Sequence, residues 1–156
     1  MPPSEKDPNL WCEVRTLCLD TKAPRYDVAE VSDALMRIIE QIGDEQIPDS
    51  IASAVEQGTF TADEGALLIG VAGYSTPDEG FRIQRVLEQW LEANADETRI
   101  GMALDHGTVP FRVPNHRAEV LSAVAARFPK HAAKCHYFIE SYKHVRGRTA
   151  PCADKA

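Results

Sequence analysis

Apolar residues recur along this chain at helical spacing. Val28, Val31, Leu35, Ile38, Ile39 and Ile42 stand at i, i+3, i+7, i+10, i+11 and i+14, one face of a 3.6-residue helix. Ile83, Val86, Leu87, Trp90 and Leu91 follow i, i+3, i+4, i+7 and i+8. Leu121, Val124, Ala125 and Phe128 repeat the pattern, as do Cys135, Phe138, Ile139 and Tyr142. Leu10, Trp11, Val14, Leu17 and Cys18 fit a first helix opened by Asp7-Pro8, with a strand as the alternative. Residues 62–74 are apolar on most sides, which predicts a buried, central helix.

Polar residues mark where these helices start. Asp27-x-x-Glu30, Thr61-x-x-Glu64, Thr76-x-x-Glu79 and Asn94-x-x-Glu97 all have capping-box spacing, in which the cap oxygen takes an orphan amide and the Glu returns to the cap's own amide. Pro77 would then occupy a first helical position, where a missing N–H costs nothing. The Asp-Glu pairs at 63–64, 78–79 and 96–97 invite a reading as catalytic carboxylates. Their place in predicted first turns, where acids complement the helix dipole, explains them without chemistry.

The pattern repeats at a longer period. MRIIEQI at 36–42 matches QRVLEQW at 84–90, and IASAVEQGT at 51–59 matches IGMALDHGT at 100–108. The offsets are 48 and 49, with seven identities over sixteen positions. LLIGVAGYSTP at 67–77 is echoed more weakly by VLSAVAARFP at 120–129. The expectation is an all-α fold: two imperfect repeats of about 50 residues, stacked as a short solenoid or a compact bundle. Residues 1–146 form a single domain with units at about 27–76 and 77–146, and 147–156 read as a flexible tail. The helix order and period over roughly 27–145 resemble HEAT and armadillo repeats, a resemblance that implies a core made by stacking one unit on the next.

The duplication also bears on Asp105-His106, which has the look of an active-site lip. The first copy has Glu56-Gln57 in its place, and both copies continue Gly-Thr. A buried helical stripe ending in a glycine at positive φ accounts for both.

Composition narrows the class. With 44% hydrophobic and 26% charged residues the chain is globular. No apolar run reaches the roughly 20 residues of a membrane span. The start MPPSEKDPN has no basic or apolar signal region, so a cytoplasmic protein is expected. The net charge of −7 is segregated: residues 27–105 hold 17 acids against 4 bases, and residues 106–156 hold 3 acids against 9 bases. An acidic block of that size makes nucleic acid an unlikely partner and favours a basic protein.

Chemistry-bearing candidates are few. His131 and Cys135 stand at i, i+4 with metal-ligand spacing, but a zinc site needs two more ligands, and a core thiol explains Cys135 equally well. The four cysteines form no C-x-x-C pair. No nucleophile elbow, phosphate loop, H-E-x-x-H or G-x-G-x-x-G occurs, so the expectation is a non-enzyme without a cofactor. Gly65, Gly70 and Gly73 read as sites of close helix approach. The loop GTVPFRVPNH at 107–116 is the longest irregular stretch in the repeat region and carries Phe111 and Arg112.

A small, acidic helical chain without catalytic motifs resembles the immunity proteins of bacterial toxin systems. The resemblance implies a protein-binding module that occludes a basic toxin such as a nuclease. Asp44, Glu45, Asp49, Glu56 and Asp63 are the expected contact acids, since no Lys or Arg lies between Ile38 and Phe81. Phe111 and Arg112 join them from the loop. A metal-binding helical protein and a self-associating scaffold, its acidic block docked on a neighbour's basic end, are the alternatives.

Overall fold

The segment that is apolar on most sides takes the middle of the molecule. This is α4 (Ala62–Tyr74), which packs on helices from both sequence copies. The structure, a computed structural model, describes residues 10–19, 29–93 and 95–141. Asp27 and Asn94 of two capping patterns, and the segment 147–156, lie outside the described residues.

Eight α-helices and no strand are found among the described residues. They run α1 (Cys12–Leu19), α2 (Ala29–Ile42), α3 (Ile47–Glu56), α4, α5 (Phe81–Glu92), α6 (Glu97–Asp105), α7 (Pro114–Arg127) and α8 (132–141). The helices pack against one another as a compact bundle around one core. None of them is long and apolar enough to cross a membrane.

The duplicated segments fall on helices in matching order. MRIIEQI lies in α2 and QRVLEQW in α5; IASAVE lies in α3 and IGMALD in α6; the third echo joins α4 to α7. Gly58 and Gly107, the paired glycines, both take positive φ, 83° and 104°. Each follows its helix at the position where a side chain would be strained. The packing of the two sets differs. α4 lies on α3 and α6, whereas α7 packs on α5.

The predicted core positions are buried: Val31, Leu35 and Ile38 on α2, Ile83, Leu87, Trp90 and Leu91 on α5, Leu121 and Val124 on α7. The first segment is a helix, with Trp11, Val14 and Cys18 inward. Trp11 Nε1 donates to the buried Ser50 Oγ at 2.8 Å, which ties α1 to α3 and satisfies a polar atom the core would otherwise strand.

The helix starts divide. Thr61 and Glu64 form the expected capping box, with bonds of 3.1 and 2.9 Å. α6 is capped instead by Asp96, whose Oδ1 accepts from Arg99 N at 3.1 Å. Thr76 caps no helix. It opens a tight turn, and α5 starts at Phe81, so Pro77 stands in that turn and not at a first helical position. The turn prevails because Thr76 Oγ1 and Asp78 Oδ1 both accept from Gly80 N, at 2.6 and 3.2 Å, while Asp78 Oδ2 accepts from Arg82 N at 3.1 Å. Desolvation pushes the Asp78 carboxyl up, but the Thr76 hydroxyl and the Arg82 and Gly80 amides that donate to it hold it below its ordinary range.

Candidate functional site

The turn at 75–80 forms one wall of a groove of about 650 Å³. Its other sides are the C-terminal end of α4, the outward face of α5, the last residue after α6 and the loop that leads into α7. Two close backbone approaches shape its floor. A Cβ on Gly70 would stand 2.8 Å from the His106 carbonyl oxygen, and one on Gly80 would stand 2.9 Å from Gly73 Cα. Close helix approach, the role expected of Gly65, Gly70 and Gly73, holds at Gly70, against the end of α6, and at Gly65, whose Cβ would meet Met102 Sδ and Val55 Cγ2 at 2.8 Å. Gly73 instead faces the 75–80 turn, where its own Cβ would stand an ordinary 3.8 Å from Gly80 Cα.

The polar groups of the floor are bonded to one another. His106 Nδ1 lies 2.8 Å from Ala103 O and Nε2 lies 2.9 Å from Gln84 Oε1. Gln84 Nε2 donates to Glu88 Oε2 at 3.3 Å, and the same oxygen accepts from Phe111 N at 2.6 Å. Burial pushes the His106 pKa down against the opposing pull of the Ala103 and Met102 carbonyls and the Asp105 and Glu88 charges. Both ring nitrogens face an oxygen, so a neutral ring donates to one of the two and only a protonated ring donates to both.

The loop is gripped from its other side by Arg117, buried one turn into α7. Its Nε donates to Pro110 O at 2.8 Å and to Phe111 O at 3.0 Å, and its Nη2 also meets Phe111 O. Phe111 thereby takes φ 60°, and Glu79 across the groove takes φ 57°. These are the two non-glycine residues with positive φ among the described residues. Such backbone is sustained only where the surroundings over-determine it.

The rim is apolar and open. Tyr74 is 92% exposed, Val113 61%, Phe81 55% and Val109 41%. Arg85 and Arg112 stand exposed among them. His116, also on the rim, stacks edge-on against Phe111 at 4.9 Å and lies 3.3 Å from Glu92 Oε1. Chemically the arrangement suits recognition. Tyr74 and Thr108 supply the hydroxyls of the described lining, and His106 is bonded to an amide and a carbonyl, not to either hydroxyl.

The loop expected over 107–116 lines this groove, with Phe111 buried and Arg112 outward, but it stops at Val113, because Pro114 opens α7. The five acids lie elsewhere, and three have partners supplied by the second copy. Asp44 pairs with Arg82 at 3.8 Å. Asp49 and Glu56 converge on Arg99 at 3.3 and 2.8 Å, together with Asp96 at 2.7 Å. Arg99 also lies over the Trp90 ring, 5.5 Å from its centroid. Glu45 and Asp63 are exposed. The stretch without local bases is thus compensated from α5 and α6 in part.

His131 and Cys135 gather no further ligands among the described residues. His131 Nε2 is buried 3.7 Å from Glu97 Oε1, beyond hydrogen-bond reach. Burial raises the Cys135 thiol to about 11, as befits a thiol packed in the core. Among the described residues no group of three or more potential ligands comes together.

Tyr74, Phe81 and Arg85 were not singled out by sequence. A signal for Tyr74 existed: α4 has more apolar residues than one buried stripe requires. No family model, curated protein or solved structure matches this chain.

Proposed function

We propose that this protein is a non-catalytic protein-binding module whose contact site is the groove between α4, α5 and the loop at 107–113. The observation that carries this reading is the rim. Four large apolar side chains are left in solvent around one concavity, while the polar floor beneath them is internally bonded. Exposed apolar groups gathered at one place mark an interaction surface, whereas scattered ones do not. A rigid floor and a bonded loop lower the ordering cost of binding.

The narrower form of this reading is a helical-repeat antitoxin that shields a basic toxin. Its support is the net charge of −7 and the exposed Glu45 and Asp63. In that form the captured partner loses its activity when bound, and its association slows as salt rises.

The test is affinity capture from the native source with the wild-type chain and with a Tyr74→Asp/Val113→Asp variant. Both positions are exposed, so the fold is retained. A partner held by the wild type and lost by the variant is the expected result. Equal retention by both, or no retained partner, overturns the groove as a protein site.

A further inference from the structure

We infer that the groove takes a segment of a partner protein that is both apolar and acidic, its carboxylates meeting Arg85 and Arg112. The inference rests on the reading of the groove as a protein site. Its basis is the distribution of unpaired cations. Ten Lys and Arg side chains belong to the described residues, and eight of them are engaged within the chain. Arg37, Arg82, Arg99 and Lys130 pair with carboxylates. Arg15 and Arg117 donate to carbonyls. Arg127 and Lys134 lie over aromatic rings. Arg85 and Arg112 have no such partner among the described residues, and both line the groove.

That placement runs against the charge of the chain. In a protein of net charge −7, acids are plentiful, yet among the described residues none is set against these two guanidinium groups. Two of the three acids that line the groove are committed. Glu88 holds Phe111 N and Asp78 holds the 75–80 turn. Glu79, which also lines the groove, is exposed. Guanidinium groups beside apolar side chains match a ligand that brings carboxylates and apolar side chains together.

The duplication supplies an internal reference. Arg37 and Arg85 occupy equivalent positions in MRIIEQI and QRVLEQW. Arg37 is met by Glu13 from α1, a helix that buries Val14 and Cys18 and packs on α2. An apolar, acid-bearing helix of the same chain thus serves the first copy's arginine. At the second copy's arginine the chain provides no such acid among its described residues, and the groove is open. The segment 142–156 carries the wrong sign for the role, with four bases against one acid.

The probes are two short fluorescent peptides with Leu and Phe at the same positions and either Glu or Lys at the polar ones. Each is titrated against the full chain by anisotropy. The Glu peptide is expected to bind at least about tenfold more tightly than the Lys peptide. Arg85→Glu/Arg112→Glu, at exposed positions and checked for helicity, is expected to reverse the preference. Tyr74→Ala is expected to weaken the Glu peptide without changing the preference. Equal binding of the two peptides, a preference that survives charge reversal, or binding of neither overturns the inference. So does a dimer of this chain in light scattering that the charge reversal dissolves, since a second copy is then the occupant. If the peptides fail while Tyr74→Asp/Val113→Asp still abolishes partner capture, the acidic segment falls and the protein site stands. If that capture is also indifferent to the groove, both fall.

Discussion

The amide of Phe111 donates to Glu88 Oε2 at 2.6 Å, so a loop residue in left-handed backbone is held by a carboxylate of α5. Arg117 grips the carbonyl of the same residue from α7. Glu88→Ala leaves a part-buried N–H without its acceptor and frees Gln84, at an expected cost of about 1–3 kcal/mol. Glu88→Gln keeps an acceptor and should cost less. Urea unfolding gives the stability, and hydrogen exchange at residues 107–113 shows whether the loop opens first. Unchanged protection in Glu88→Ala would mean that Arg117 alone holds the loop.

Gly70 and Gly73 should respond oppositely to alanine. Both lie in α4, where alanine is favoured over glycine by roughly 1 kcal/mol. At Gly70 the added Cβ meets a backbone carbonyl at 2.8 Å, which has to move and costs about 1–3 kcal/mol. At Gly73 the nearest atom, Gly80 Cα, is at an ordinary 3.8 Å. Gly70→Ala is therefore expected to lower the melting temperature and Gly73→Ala to hold or raise it. A stabilised Gly70→Ala would show that the α4–α6 approach yields easily.

Stability should fall on mild acidification because of His106. Its folded pKa lies below the ordinary 6.5, chiefly through burial. The unfolded chain takes up that proton first, so the contribution is complete above about pH 6.5 and is lost as pH falls through the folded value. The depressed carboxyls of Asp78, Asp96 and Glu97 act at lower pH, below their ordinary values of 3.8 to 4.5. Denaturation at about pH 7 and about pH 5.5 separates the two ranges. His106→Gln should flatten the upper one; an equal slope in the variant would assign it to other groups.

Much of the architecture was legible from spacing alone. Period and polarity suffice for α2, α5 and α7 because one face of each helix must leave water, whatever it packs against. The glycine after each second helix was legible too, since positive φ at Gly58 and Gly107 is a local requirement. Capping was harder. Thr61 and Thr76 carry the same spacing, yet only Thr61 caps a helix, because Asp78 offers Gly80 and Arg82 a competing carboxylate. Charge was hardest. Asp49 and Glu56 look uncompensated over a long stretch of chain, and Arg99 meets both from 50 and 43 residues away.

Spacing along the chain dictates that it is helical, which faces of α2, α5 and α7 turn inward, and that three helices echo three earlier ones. Those properties depend on neighbours within a few residues, and local periodicity records them. That the end of α4, the 75–80 turn, α5 and the 107–113 loop enclose one groove follows from packing alone. Packing also leaves Arg85 and Arg112 in that groove without a partner among the described residues, while Arg82 and Arg99 meet acids of the first copy. Groove and pairing depend on distances between residues remote in the chain, which packing sets and spacing along the sequence does not encode.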